Sequence, residues 1–285
     1  MTQALPRKFA LFTAGLFSLL LAGTSVTACA KPLAEKLEVA TSTTLLGYIV
    51  QQVGGDKVDV LNIVPASQHP GNFDARPSDA QKLAKASLFL VHGFPGETWV
   101  PGLVQAANNP SLKVVTISFD GSWMTPEAQL AATQKVAATL GEADPANKDT
   151  YAKRAGQYEE RVRTEATEIR QKLGSANVAS LTALSSVFQA PFVQWAGVKV
   201  VGTYATPESL TPQTVKDMVD KARAAGVNLI VDNVHSGADA GRGLAEELKA
   251  KRIVLVYFPG GLPNTETWEK AIDYDAGQIV QAAAK

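Results

Sequence analysis

Cysteine is almost missing from this chain. Of its 285 residues only Cys29 is one, so no disulfide can form within it and its stability must come from an apolar core. Net charge is missing as well: Lys+Arg and Asp+Glu number 27 each, and no basic block stands out. Without such a field, nucleic acid is not an expected partner. The motifs of several enzyme classes are also absent, with no G-x-S-x-G elbow, no P-loop and no G-x-G-x-x-G. Histidine is scarce, occurring only at His69, His92 and His235. What is present is ordinary globular material, 46% hydrophobic and 19% charged, enough for one large or two ordinary α/β domains.

The beginning of the chain is different. Arg7 and Lys8 precede a short apolar run over residues 9–22, and residues 23–28 lead to Cys29. That layout reads as an export signal, too short for a stable transmembrane span. Val26-Thr27-Ala28-Cys29 resembles a bacterial lipobox, which would place a lipid on the Cys29 sulfur and cut the chain before it. The alternative is ordinary cleavage after Ala30, with Ala28-Cys29-Ala30 as an A-x-A site. Residues 1–29 are accordingly read as signal and lipobox.

Beyond a short tether, apolar runs alternate with helical patterns. Strands are expected over residues 37–40, 59–65, 87–91 and 112–118, with helices near 43–53, 97–107 and 126–140 and another opened by Pro77-Ser78-Asp79. The rhythm gives an α/β lobe with a parallel sheet over residues 30–146. Residues 147–173 then read as one long charged helix whose Tyr151, Tyr158 and Val162 share a side. It is either a solvated surface helix or, as the restarted rhythm favours, a rigid connector over 147–174. The second lobe, 175–285, has strands expected at 177–184, 198–203, 227–231 and 252–256. Its helices fall near 191–196, 212–225, 240–249 and 266–283. The expected fold is thus α/β: two βα-repeat lobes with parallel sheets, joined by a long rigid helix, with the ligand cleft between them.

All three histidines follow strand-like segments, and ligands in α/β sheets gather beyond the carboxyl ends of strands. Imidazole is also the commonest protein metal ligand. Near His69, Asn72 and Asp74 offer oxygens; near His92 stand Glu97 and Trp99; near His235 stand Asp232 and Asp239. Histidine with carboxylate suits Zn²⁺ or Mn²⁺. Each residue also has a plain structural reading, such as a turn cap or an ion pair. Trp123 could line the same cleft.

In their order along the chain, several segments resemble the zinc and manganese solute receptors of bacterial ABC importers. They are Gly55-Asp56-Lys57-Val58, Pro77-Ser78-Asp79-Ala80, Lys82-Leu83-Ala84-Lys85-Ala86, Gly202-Thr203-Tyr204, Glu208-Ser209-Leu210-Thr211-Pro212 and Leu244-Ala245-Glu246-Glu247-Leu248. The resemblance covers nearly all of the exported chain. It implies two lobes that clamp a bare divalent cation between three histidines and a carboxylate, and a permease that receives the ion. The sequence departs from that donor pattern. The first histidine position is Gly71, with His69 two residues earlier; the second falls at Gly121 or Ser122, the third within 186–189, and the acidic ligand at Tyr257 or Phe258.

The expectation is therefore a monomeric, non-enzymatic receptor held outside the cytoplasmic membrane or in the periplasm, lipid-anchored at Cys29, capturing Zn²⁺ or Mn²⁺ for an ABC permease. Its rebuilt site would use His69, His92, His235, Asp74 and Gln189, within a cleft also lined by Asn72, Trp99, Trp123, Tyr204, Asp232 and Tyr257. One alternative is a metal chelate or small organic ligand in the same cleft. A more distant one is an exported metal-dependent hydrolase with Glu97 as its base.

Overall fold

The computed structural model describes residues 35–205, 210–237 and 239–284. The signal, Cys29, and Glu208 and Ser209 of the resemblance lie outside the described residues.

Strands β1 (Leu37–Thr41), β2 (Val58–Asn62), β3 (Leu88–Val91) and β4 (Lys113–Thr116) form one sheet in the order β2-β1-β3-β4. Strands β5 (Thr182–Ser186), β6 (Lys199–Tyr204), β7 (Leu229–Asn233) and β8 (Lys251–Leu255) repeat it as β6-β5-β7-β8. Every pairing in both sheets is parallel. The central strand β3 is apolar throughout, with all four residues buried, because helices cover both faces.

Helix α1 (Thr44–Gly54) leads from β1 to β2, α2 (Pro77–Leu83) from β2 to β3 and α3 (Val100–Ala107) from β3 to β4. In the second lobe α6 (Ala190–Trp195), α7 (Pro212–Ala225) and α8 (Arg242–Leu248) occupy the same places. Thr43, Thr211 and Thr267 cap their helices by accepting a backbone N–H with the side chain, the expected chemistry of a helix start.

Between the lobes run α4 (Pro126–Ala143) and α5 (Lys148–Gly174), and α9 (Trp268–Ala283) returns from the end of the chain to pack on α5. With 27 residues, α5 is about 40 Å long. Tyr151, Ala155, Tyr158, Val162, Ile169 and Leu173 form its buried stripe, at spacings of three, four or seven residues, all of which return to one face of a helix. One apolar cluster joins this stripe to α1, β1 and β3 of the first lobe and to β5, β7, β8 and α9 of the second. The charged helix is therefore a connector, and its exposed ion pairs contribute little to stability.

Polar bonds also cross between the halves. Trp268, fully buried, donates its indole N–H to the Met124 carbonyl at 3.0 Å, Tyr48 donates to Glu269 at 2.6 Å, and Thr44 to the Pro259 carbonyl at 2.8 Å.

One expected strand is displaced. Residues 177–184 do not run extended throughout: Val178–Ser180 is a 3-10 turn, and β5 begins at Thr182. The Asn228 side chain holds the junction, donating to the Ser180 carbonyl and accepting from the Thr182 N–H.

If Trp268 clamps the lobes, Trp268→Phe removes the donor to Met124 and leaves space in the core. We expect a loss of about 1–3 kcal/mol in chemical denaturation. A change below ~0.5 kcal/mol would show that the clamp is dispensable.

Candidate functional site

Both sheets direct the carboxyl ends of their strands toward one cavity of about 340 Å³. The first lobe supplies His69, Pro70 and Gly71 after β2, and Phe94, Pro95 and Gly96 after β3. The second supplies Phe188 after β5, Asn233 at the end of β7, and Tyr257 and Phe258 after β8. These loops stand beside β1/β3 and β5/β7, where the strand order changes direction, the usual place for a ligand in an open α/β sheet.

Local chemistry fixes each wall. The two first-lobe loops meet glycine to glycine: a Cβ on Gly96 would lie 2.8 Å from the Gly71 Cα. The loop after β3 is tied by Glu97, whose carboxylate accepts from the N–H groups of Gly93 (2.7 Å), Phe94 (3.1 Å) and His92 (3.4 Å). In the second lobe Val256 is held from both sides. Its carbonyl accepts from the Gln189 amide at 2.9 Å and its N–H donates to Asp275 at 2.9 Å, which sets Tyr257 and Phe258 at the cavity wall. Asp275 is fully buried, and burial raises its carboxyl well above the usual range, against the lowering pull of the Val256 N–H. The sequence reading missed Asp275, which is embedded in an otherwise regular helical pattern; Asn233 and Phe94 carried no signal either, and Phe188 and Phe258 were marked only by the donor positions the resemblance implies.

The histidines reach the site unequally. His69 packs against Phe188 across the cleft, ring centroids 4.7 Å apart, and its Nδ1 accepts the Gly71 N–H at 3.0 Å. His235 packs edge-on against Phe258, and its Nε2 accepts the Phe258 N–H at 3.2 Å. His92 is buried in the first lobe, stacked on Phe94, edge-on to Trp123 and bonded through Nε2 to Thr43 at 2.7 Å. Burial lowers the basicity of all three. His92 falls to about 3, and His235, to which a charged His69 would add repulsion, also to about 3.

Among the described residues, no three His, Cys, Asp or Glu side chains come together as a metal-holding group. The expected set of His69, His92, His235 and Asp74 is thus not assembled: His69 and His235 are near the cavity, but His92 is buried in the first lobe and Asp74 is exposed at another groove. Asp74 is exposed and borders a groove on the outer face of the first lobe, between the start of α2 and α3. Gln189 is buried behind the wall.

Most other expected cleft residues are structural. Asn72 is exposed in the turn after His69. Trp99 donates to the Pro70 carbonyl at 2.9 Å while facing the same outer groove as Asp74. Trp123 is buried beneath His92 and Phe94. Tyr204 donates to Asp232, which also receives Gly241 and pairs with Arg252, a network inside the second lobe. Tyr257 does line the cavity, and burial pushes its hydroxyl up to about 12, against the lowering pull of a hydrogen bond from the Trp123 backbone. Glu97, the imagined hydrolytic base, is consumed as a loop anchor.

The sequence matches the family described as zinc-uptake complex component A, periplasmic, over residues 39–282. The chain belongs to this family. Relatives include the manganese ABC transporter substrate-binding lipoprotein PsaA of Streptococcus pneumoniae, 31% identical over 54% of this chain and 56% of that protein. The metal ABC transporter substrate-binding lipoprotein FimA of Streptococcus parasanguinis is 28% identical over 76% and 78%. Among solved structures, the cadmium-bound periplasmic metal-binding protein of Candidatus Liberibacter asiaticus superposes with a TM-score of 0.76. It has 19% identity and covers 87% of this chain and 100% of its own. The binding protein FpvC of P. aeruginosa, in complex with Ni²⁺, gives 0.75 at 17% identity, covering 87% and 97%.

The buried histidines make stability depend on pH. The unfolded chain binds protons at His92 and His235 below about 6.5, while the folded chain resists until about 3. Their contribution is therefore complete above pH 6.5 and is lost as pH falls toward 3. At pH 5 each histidine should cost about 2 kcal/mol relative to pH 7.5. Denaturant titrations at the two pH values should show the loss, and His92→Gln should make it shallower. An equal slope in the variant would refute this assignment.

Proposed function

We propose that this protein is the extracytoplasmic solute-binding component of an ABC importer for metal uptake, holding its cargo in the cavity between the lobes. The single observation that carries this reading is structural. Two copies of one sheet order turn their carboxyl ends on a cavity to which both contribute walls, in a chain of the zinc-uptake component family.

The work is capture and release. A ligand contacting both lobes favours their closed arrangement by as much as its affinity for that arrangement exceeds its affinity for an open one. A permease that binds the lobes more favourably when they are apart would lower the affinity and draw the cargo out. Residues 30–146 and 175–285 act as the lobes and 147–174 as the connector, with α9 returning to brace it. Nothing in this cycle asks for bond-making chemistry. Glu97, the one base considered, is held by three backbone N–H groups. No helix among the described residues is long and apolar enough to cross a membrane. A lipid on Cys29 would supply attachment, and a single copy would suffice for binding because both walls come from one chain.

Cells lacking the chain, grown in metal-scarce medium, should accumulate less of at least one of zinc, manganese and iron by elemental analysis. The wild-type gene should restore it. Unchanged content of all three would rule out metal uptake.

A further inference from the structure

We propose that the cavity takes its metal as an organic chelate and not as a bare cation. The ligand's oxygen acceptors would meet the His69 N–H, and its apolar face would lie against Phe94, Phe188 and Phe258. This deepens the metal-uptake reading above and rests on it.

The histidine lone pairs near the cavity are already committed. A neutral imidazole has one. In His69 it is on Nδ1 and accepts from Gly71; in His235 it is on Nε2 and accepts from Phe258. The other nitrogen of each ring therefore carries hydrogen, and a cation is repelled by the face that remains. The Nδ1 of His235 is buried with no partner, and His92 already shares its Nε2 with Thr43. Asn233 has its amide oxygen on the His235 N–H. A bare Zn²⁺ or Mn²⁺ requires about four to six donor atoms to replace its water, and this wall offers hydrogen-bond donors in their place.

The backbone at the positions where donors were expected points the same way. Gly121 has φ +123, a conformation that L side chains rarely adopt, so a histidine there would be strained. At Gly71 a Cβ would lie 3.0 Å from the His69 Nδ1: the imidazole rests in the space a side chain would enter. Phe188, Tyr257 and Phe258 stand at the cavity in the two segments that remain. The site has not lost one ligand by substitution. Its walls are rebuilt as aromatic surface.

Size agrees. Six waters around an ion occupy about 180 Å³, at ~30 Å³ each. The cavity is nearly twice that, at about 340 Å³, and falls in the range of small-molecule sites. Aromatic walls reward an apolar ligand face, and an isolated N–H rewards an anionic oxygen. A chelate with carboxylate, catecholate or hydroxamate oxygens supplies both, while the metal keeps its own coordination shell.

The test is calorimetry on the protein purified from cells exporting it. The probes are ZnCl₂ and MnCl₂ alone, then ferric citrate, ferric catecholate and ferric acetohydroxamate, each beside its iron-free chelator. We expect no 1:1 step with the chlorides and at least tenfold tighter binding of one ferric complex than of its free chelator. Phe188→Trp, which fills the cavity, should weaken that binding at least tenfold with an unchanged circular dichroism spectrum. Stoichiometric binding of a bare ion would overturn the proposal. So would a free chelator binding as well as its complex, or none of the three complexes binding. Cellular metal content separates the two failures: if it still falls without the chain, only the chelate is wrong; if it does not, the uptake reading has failed on its own.

Discussion

Everything at the cleft depends on one buried stripe along α5. A helix this charged would gain little from burial by its composition alone, yet its apolar residues close a core continuous with both sheets. The lobes are therefore not two beads on a string. Moving one against the other must work around that stripe and around the bonds Trp268–Met124, Tyr48–Glu269 and Thr44–Pro259. Such a frame resists a wide hinge, because packed interiors lose contact energy abruptly once they separate. The cavity walls are set to the tolerance of this frame.

The same economy appears within each wall. Groups that could have served chemistry serve position. Glu97 gathers three N–H groups to shape the loop after β3, Asp232 ties Tyr204, Gly241 and Arg252 inside the second lobe, and Gln189 and Asp275 grip Val256. A cavity with few polar groups of its own is thus surrounded by polar groups that are spent. This is what lets aromatic side chains be held rigidly at a mouth between lobes, and it is why specificity here falls to shape and to very few hydrogen bonds.

Much of the fold was legible. Alternating apolar runs and helical patterns gave eight strands in their places, the long connector and the two-lobe division, and the parallel sheets followed from the βα rhythm. The exception at Val178–Ser180 arose where the side chain of Asn228, fifty residues on, sets the start of a strand, and no local pattern could announce that. The site was legible only in part. His69 and Tyr257 were found at the cavity, and His235 beside it. Asp74, Trp99, Trp123, Tyr204 and Asp232 were near the right loops but face elsewhere.

The sequence by itself determined the alternation of elements, the repeat of one lobe plan in two halves, and the absence of the expected donors at Gly71, at Gly121 or Ser122, within 186–189 and at 257–258. These are properties of periodicity and of residue type, which local physics transmits directly. Tertiary structure alone decided which nitrogen of each imidazole is free, that His92 is buried edge-on against Trp123, and that Phe94, Phe188 and Phe258 converge from three loops. Those outcomes depend on contacts between residues far apart in the chain. A side chain's chemical role is fixed only when its neighbours have claimed, or left, its hydrogen-bonding capacity.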